Sequence, residues 1–175
     1  MTTDNTRSLI PVNIAVLTAS DTRAEADDKS GKALVDRLTK AGHTLAEKII
    51  TKDDVYQIRA VVARWIADPD VQVVITTGGT GVSGRDGSPE AVRPLLDKEL
   101  DGFGEMFRVL SYDDIGTSTL QSRTFAGVAN GTYVFVLPGS SGACKLAWEK
   151  LICHQLDYRT RPCNLVEMMP RLLES

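Results

Sequence analysis

Short apolar runs alternate with amphipathic stretches along this chain, and the alternation predicts strands interleaved with helices. Residues 12–18 (VNIAVLT) are β-branched and apolar throughout, as a strand buried on both faces should be. A polar, acidic loop fills residues 19–29. Over residues 30–41, Ala33, Leu34, Leu38 and Ala41 share one helical face, and Gly42 stops the helix. Residues 44–51 read as a second strand. A helix over 54–67 carries Val55, Ile58, Val62, Trp65 and Ile66 in a 3.6-residue stripe, with Pro69 just past its end. Residues 71–77 (VQVVITT) form a third strand, followed by a glycine-rich loop over 78–87. Ser88-Pro89 then reads as an N-cap and first-turn proline, opening a helix to about residue 100.

Asp101-Gly102 predicts a break, with two shorter helical stretches, 103–112 and 117–124, beyond it. Residues 125–129 and 132–137 flank Asn130-Gly131, a dipeptide that supplies the positive φ angles of a hairpin turn. A second glycine loop, 138–142, leads into a last helix over 143–158. Residues 1–11 are polar, end at Pro11, and are expected to be a flexible arm. Residues 12–158 make one domain, and 159–175 a tail packed on or near it. Alternating strands and helices imply a mostly parallel sheet covered on both faces. Right-handed crossovers place every strand-to-helix loop at the same edge. Ser20-Asp21, Asp53, the 78–87 loop and the 138–142 loop therefore converge at the carboxyl edge, where open α/β sheets bind ligands.

Composition narrows the ligand's environment. The 175 residues suit a single domain, and 42% hydrophobic with 25% charged residues is ordinary for a globular protein. A net charge of −3, without any cluster of Lys and Arg, argues against nucleic acid or an anionic membrane as partner. An anionic ligand would have to be held locally, by backbone N–H groups, a metal ion or a few placed cations. The first thirteen residues lack the basic and apolar regions of a secretory signal, and no apolar run approaches a membrane span. Three cysteines cannot all pair, which points to a reducing compartment, the cytoplasm. Cys144 and Cys153 read as thiols of an apolar helix, and Cys153, His154 and Cys163 lack zinc-ligand spacing.

The chemistry concentrates in Thr76-Thr77-Gly78-Gly79-Thr80-Gly81-Val82-Ser83-Gly84-Arg85-Asp86. Glycines directly after a buried strand let backbone N–H groups approach an anion closely. The loop is no dinucleotide fingerprint, because Arg85 to Ser88 intervene before the helix begins. Nor is it a Walker A loop, since Arg85-Asp86 stands where Lys-Ser/Thr is required. Pro138-Gly139-Ser140-Ser141-Gly142 repeats the theme at a helix N-terminus, which favours anions. It is no nucleophile elbow, because Ala143 takes the place of the second glycine. Asp53 reads either as a helix cap and Asp86 as the cap of a turn, or the two together as holders of Mg²⁺ between substrate phosphates. Arg85 and Arg123 are candidate phosphate forks, with a solvated arginine as the commoner alternative.

TTGGTG at 76–81, Arg85-Asp86, Ser88-Pro89-Glu90-Ala91, the opening VLTASDT, Gly102-Phe103-Gly104-Glu105, Ile115-Gly116 with Ser122-Arg123, and Leu137-Pro138-Gly139 together resemble the MogA/MoaB family of molybdenum cofactor biosynthesis proteins. The ending PGSSGACKLAWEKLI is closer to the MoaB branch. The resemblance implies a three-layer α/β/α sandwich carrying the hairpin near its C-terminus, assembled as a homo-oligomer, a trimer or a dimer of trimers. It implies molybdopterin and a nucleotide as partners, and transfer of AMP from ATP to the terminal phosphate of molybdopterin with Mg²⁺. GTP is the other nucleotide to consider. Asp53 and Asp86 match the family's two aspartates, as catalytic and Mg²⁺-holding residues. Ser20, Asp21, Thr77, Gly78, Gly79, Thr80, Gly81, Ser122, Arg123, Pro138, Gly139, Ser140, Ser141 and Gly142 match its pterin and phosphate cradles. Two departures, Gly87-Ser88-Pro89 for the commoner Val-Thr-Pro and Ser141 for proline, keep small residues. A non-catalytic pterin-binding or weak GTP-binding protein of the same pathway is the alternative the resemblance leaves open.

Overall fold

The computed structural model describes residues 1–174. Eight strands occur among them: β1 (Thr2–Thr3), β2 (Asn13–Ala19), β3 (Thr44–Thr51), β4 (Val73–Thr77), β5 (Lys98–Glu99), β6 (Phe125–Ala129), β7 (Thr132–Leu137) and β8 (Thr160–Arg161). The α-helical segments are α1 (Lys29–Lys40), α2 (Val55–Ile66), α3 (Ser88–Val92), α4 (Asp101–Ile115), α5 (Ser141–Ala147), α6 (Cys153–Gln155) and α7 (Leu165–Met168). A π-helical turn, Trp148–Ile152, joins α5 to α6.

The main sheet has the order β3-β2-β4-β7-β6-β5. Its four strands β3, β2, β4 and β7 are parallel, while β6 and β5 add antiparallel at one edge, β6 through the Asn130-Gly131 hairpin. Asn130 (φ 46°) and Gly131 (φ 80°) both take the positive φ that such a turn demands. One face packs Ile14, Val16, Ile75, Phe135 and Leu137 against Leu34 and Leu38 of α1, Phe107 of α4, Cys144 and Ala147 of α5, and Trp148 of the π-helical turn. The other packs Ala15, Leu17, Val74, Val134 and Val136 against Ile58, Val62 and Trp65 of α2 and Ala91 and Val92 of α3. The result is the expected α/β three-layer sandwich. Trp65 is buried and its indole N–H donates to Glu47 at 2.6 Å, so its one polar group is satisfied.

Local differences from the sequence expectation have identifiable causes. The helix from Ser88 ends at Val92 and passes into a 3₁₀ turn, Arg93–Leu95. Pro94 has no N–H to offer the Glu90 carbonyl, and that carbonyl instead accepts from Arg59 at 2.7 Å. Asp101-Gly102 starts a helix rather than breaking one. Asp101 suits a first turn, and α4 runs unbroken to Ile115 before the 3₁₀ segment Gly116–Gln121. The first residues, expected to be a flexible arm, are tied down: β1 pairs antiparallel with β8, and Arg7 donates to Glu167 at 2.9 Å while lying 4.5 Å over the Tyr158 ring. The partner strand lies in the tail, which no local pattern in residues 1–11 could announce.

Candidate ligand-binding site

The four parallel strands end together. Ala19 is level with Thr51, Thr18 with Thr77, and Thr77 with Leu137. The ladders continue one step further, since the Ser20 N–H donates to Thr51 and the Gly78 N–H to Leu137. The first, second, third and last loops therefore leave the sheet side by side.

Gly78 (φ 104°) and Gly79 (φ 63°) turn the third loop back on itself, a backbone path that L side chains rarely take. A Cβ on Gly78 would strike the Ala19 carbonyl, and one on Gly79 would strike the Asp53 carboxylate and the Ser88 hydroxyl. Ser88, read from sequence as an N-cap, instead pins this turn. Gly87 occupies the cap position, while the Ser88 hydroxyl donates to the Gly78 carbonyl at 2.8 Å and its N–H to Gly79 at 3.0 Å. The buried Thr77 hydroxyl donates to the Pro138 carbonyl at 2.8 Å, and a Cβ on Gly139 would sit 3.2 Å from the Gly78 Cα. The two glycine loops are thus packed into one unit. Thr77 and the Gly78 N–H build that unit from within and are not among its exposed donors.

Arg123 clamps the other side. Its Nε donates to the Gly81 carbonyl and an Nη to the Asp86 carbonyl, each at 2.8 Å, and a second Nη pairs with Glu90. Two of its five N–H groups are spent on the loop and a third on Glu90 of α3, so this candidate phosphate fork is first a brace. Arg85, the other, pairs with Asp21.

A cavity of about 410 Å³ opens between this unit and the α4 side of the molecule. Thr80, Gly81, Ser122, Pro138, Gly139, Ser140 and Gly142 of the sequence-derived set line it. Ser20, Asp21, Thr77, Gly78, Gly79, Arg123 and Ser141 do not. The sequence reading missed the far wall, which Phe107, Ser111, Asp114 and Ile115 of α4 and Ser118, Thr119 and Gln121 of the 3₁₀ segment supply. Their polar periodicity on a helix matches that of a solvated face and carries no separate signal. The Ser122 Oγ is buried without a hydrogen-bond partner, and such a group normally has one. Ser140 caps α5 by accepting from the Ala143 N–H at 3.1 Å. It therefore orients the first-turn N–H groups and does not reach out itself.

The aspartates do not line this cavity; Asp53 stands against Gly79 and Asp86 close to Gly81. Asp54, not Asp53, caps α2, accepting from Tyr56 and Gln57 at 3.0 and 2.9 Å. That frees Asp53, whose Oδ1 is buried against Gly79 with no partner. Burial pushes its carboxyl above the ordinary range, and the nearby charges of Asp86 and Asp21 push the same way. The Gly87 N–H and Arg85 oppose them. Asp86 is held below the ordinary range, chiefly because its Oδ2 accepts from the Ser83 hydroxyl at 2.6 Å and also from the Ser83 N–H at 2.9 Å. Among the described residues no three His, Cys, Asp or Glu are grouped closely enough to hold a metal alone. The orphaned Asp53 oxygen and the mutual repulsion of the carboxylates nevertheless fit a divalent cation completed by phosphate oxygens, the usual manner for Mg²⁺.

The first loop holds residues the sequence left as plain turn. Asp28 has a fully buried side chain and accepts from Thr18 (2.9 Å), Ser30 (3.2 Å), the Gly31 N–H (2.9 Å) and Lys48 (2.9 Å). Its carboxyl is held low despite the burial, which alone would raise it, because Lys48, the Gly31 N–H and Thr18 all favour the anion. Arg23 donates to Ser30 at 2.7 Å and to the Gly139 carbonyl at 2.8 Å, joining the first loop to the last.

This arrangement has known counterparts. Residues 15–158 match the family model described as "Probable molybdopterin binding domain". The chain belongs to that family. It is 57% identical over 155 residues, 89% of this chain and 91% of the relative, to molybdenum cofactor biosynthesis protein B of Escherichia coli K12. It is 47% identical to the protein of the same name from Bacillus cereus, over 85% of this chain and 89% of that one. A crystal structure of molybdenum cofactor biosynthesis protein B superposes with a TM-score of 0.83 at 46% identity, covering 86% of this chain and 94% of that one. The tungsten cofactor synthesizing protein MoaB from Pyrococcus furiosus gives 0.72 at 37% identity, covering 79% and 89%. A role in molybdenum cofactor biosynthesis follows for this family member.

Proposed function

We propose that this protein binds molybdopterin in the cavity beside the glycine loop and, with ATP and Mg²⁺, adenylylates its terminal phosphate. The observation that carries the reading is the two-sided loop. Gly79 backs on Asp53, while Thr80 and Gly81, its neighbours, line the cavity. A phosphate reaching the loop from the cavity would meet a nucleotide held from the acidic side. Mg²⁺, when bound with the nucleotide, would neutralise phosphate charge, and such transfers proceed mostly by positioning and charge neutralisation. Asp53 would hold the cation through its unpaired Oδ1. Asp86 would do so through the carboxylate oxygen that Ser83 leaves unused. The first-turn N–H groups that Ser140 orients would receive the pterin phosphate.

The reading includes a cytoplasmic protein assembled threefold from identical chains. Incubation of the protein with molybdopterin, Mg²⁺ and either ATP or GTP tests it, with adenylylated or guanylylated pterin detected by mass. ATP-dependent product is expected, and Asp86→Asn should abolish it while leaving pterin affinity within a few-fold. Pterin binding with no transfer from either nucleotide would replace the enzyme with a carrier. Absence of pterin binding would end the proposal.

A further inference from the structure

We infer that Arg23 is the phosphate-recognition residue of this site. The inference rests on the pterin reading above but concerns a side chain that reading does not use. Three arginines stand at the carboxyl edge, on three different loops. Arg85 pairs with Asp21 and Arg123 with Glu90. Among the described residues, Arg23 has no carboxylate within ion-pair distance. Its guanidinium is a positive charge not cancelled by a direct partner, in a chain whose net charge is −3.

Arg23 is also held in place. One Nη donates to the Ser30 hydroxyl at 2.7 Å and the other to the Gly139 carbonyl at 2.8 Å. Its own N–H donates to Ser20 at 3.2 Å. Ser30 in turn donates to Asp28, which Lys48 neutralises at 2.9 Å. The chain of contacts runs from β3 through a buried carboxylate to the fork. Two of the five guanidinium N–H groups serve as anchors, and the remaining three stay available for an anion. A planar fork already oriented loses less entropy on meeting a phosphate than a free one does.

Its place suits a phosphate monoester. Gly139, whose carbonyl it grips, lines the cavity and touches Gly78. Arg23 does not itself line the cavity; it stands one contact behind the wall, at Gly139, beside the turn that packs on Gly78. A dianion there would meet a guanidinium and N–H donors at once. The pterin ring of the ligand carries no charge and would gain little from this guanidinium.

The test is calorimetric titration of wild type, Arg23→Ala and Arg23→Lys. Each is titrated with molybdopterin and with the same pterin after phosphatase treatment, with thermal unfolding run alongside. Wild type should prefer the phosphorylated form. Arg23→Ala should lose about ten-fold or more of that preference while binding the dephosphorylated pterin as wild type does, and Arg23→Lys should recover part of it. Equal preference in wild type and Arg23→Ala would overturn the inference. So would an Arg23→Ala loss that falls alike on both pterins and that lysine does not repair, which would make Arg23 a brace for the last loop. Wild type that binds neither pterin would refute the pterin reading itself, a separate outcome.

Discussion

Asp53 carries an internal cost that its neighbours do not. Its buried, unpartnered oxygen faces two other carboxylates, so the folded state favours its protonated form. A carboxyl whose folded pKa is raised gives stability that is present below its ordinary value of 3.8 and is lost as pH climbs through the folded value. At neutral pH the ionised group therefore strains the ligand-free protein. Asp86 has the opposite sign: its lowered carboxyl stabilises the fold at neutral pH, and that support disappears as pH falls through its folded value. Asp53→Asn is expected to raise the Tm at pH 7, by about 2–4 °C per kcal/mol gained in a chain of this size. The advantage should shrink as the pH approaches 4. Mg²⁺ with nucleotide should raise the Tm of wild type and not of the variant. Thermal melts at several pH values decide it, and a variant less stable than wild type at pH 7 would contradict the assignment. The sequence placed Asp53 at the right edge but could not tell it from Asp54 as the cap, because either aspartate can precede a helix. Only the geometry shows Asp54 accepting from Tyr56 and Gln57.

Among the elements, the strands and long helices were legible because burial and period coincide in them, as in β4 and α2. Both glycine loops were legible because glycine after a buried strand has few other uses. What stayed hidden depends on contacts distant in sequence. Ser88 looks like a cap until the loop ten residues earlier folds over it, and the cavity wall on α4 looks like a solvated face until the loops cover it. Arg123 is the strongest case, a residue that reads as an anion fork and acts as a clamp on carbonyls 42 and 37 residues away. Arg123→Ala should release residues 80–87, leaving the Gly81 and Asp86 carbonyls without these donors. A loss of about 1–3 kcal/mol follows from the broken hydrogen bonds. Hydrogen exchange should become faster at the Asp86 and Ser88 amides, and pterin affinity should fall with it. Arg123→Lys should not rescue, since an ammonium cannot span two carbonyls and Glu90 as the planar fork does. Full rescue by lysine would show that charge alone matters.

For the whole molecule, the apolar residues left outside the two cores are unevenly placed. Met106 (49% exposed), Val109 (63%), Tyr112 (58%) and Ile115 (54%) recur every third residue along α4, and Leu120 (77%) follows in the 3₁₀ segment. Recurrence at three residues keeps them on one slowly turning flank, while Phe107 and Ser111 of the same helix face inward. A continuous apolar flank of this kind is what a surface meant to meet another protein surface presents. The proposed threefold assembly supplies such a surface, and α4 also forms a wall of the cavity, so packing between copies would stiffen the site. Burying these side chains would contribute about 25 cal/mol per Å² of apolar area removed from water. A glutamate there would have to be desolvated without a partner. Val109→Glu is therefore expected to shift the protein from trimer or hexamer to monomer in light scattering at micromolar concentration. It should weaken pterin binding through the loosened wall, while far-ultraviolet circular dichroism stays unchanged. Wild type that scatters as a monomer would remove the assembly from the proposal. An unchanged oligomer in the variant would move the interface away from α4.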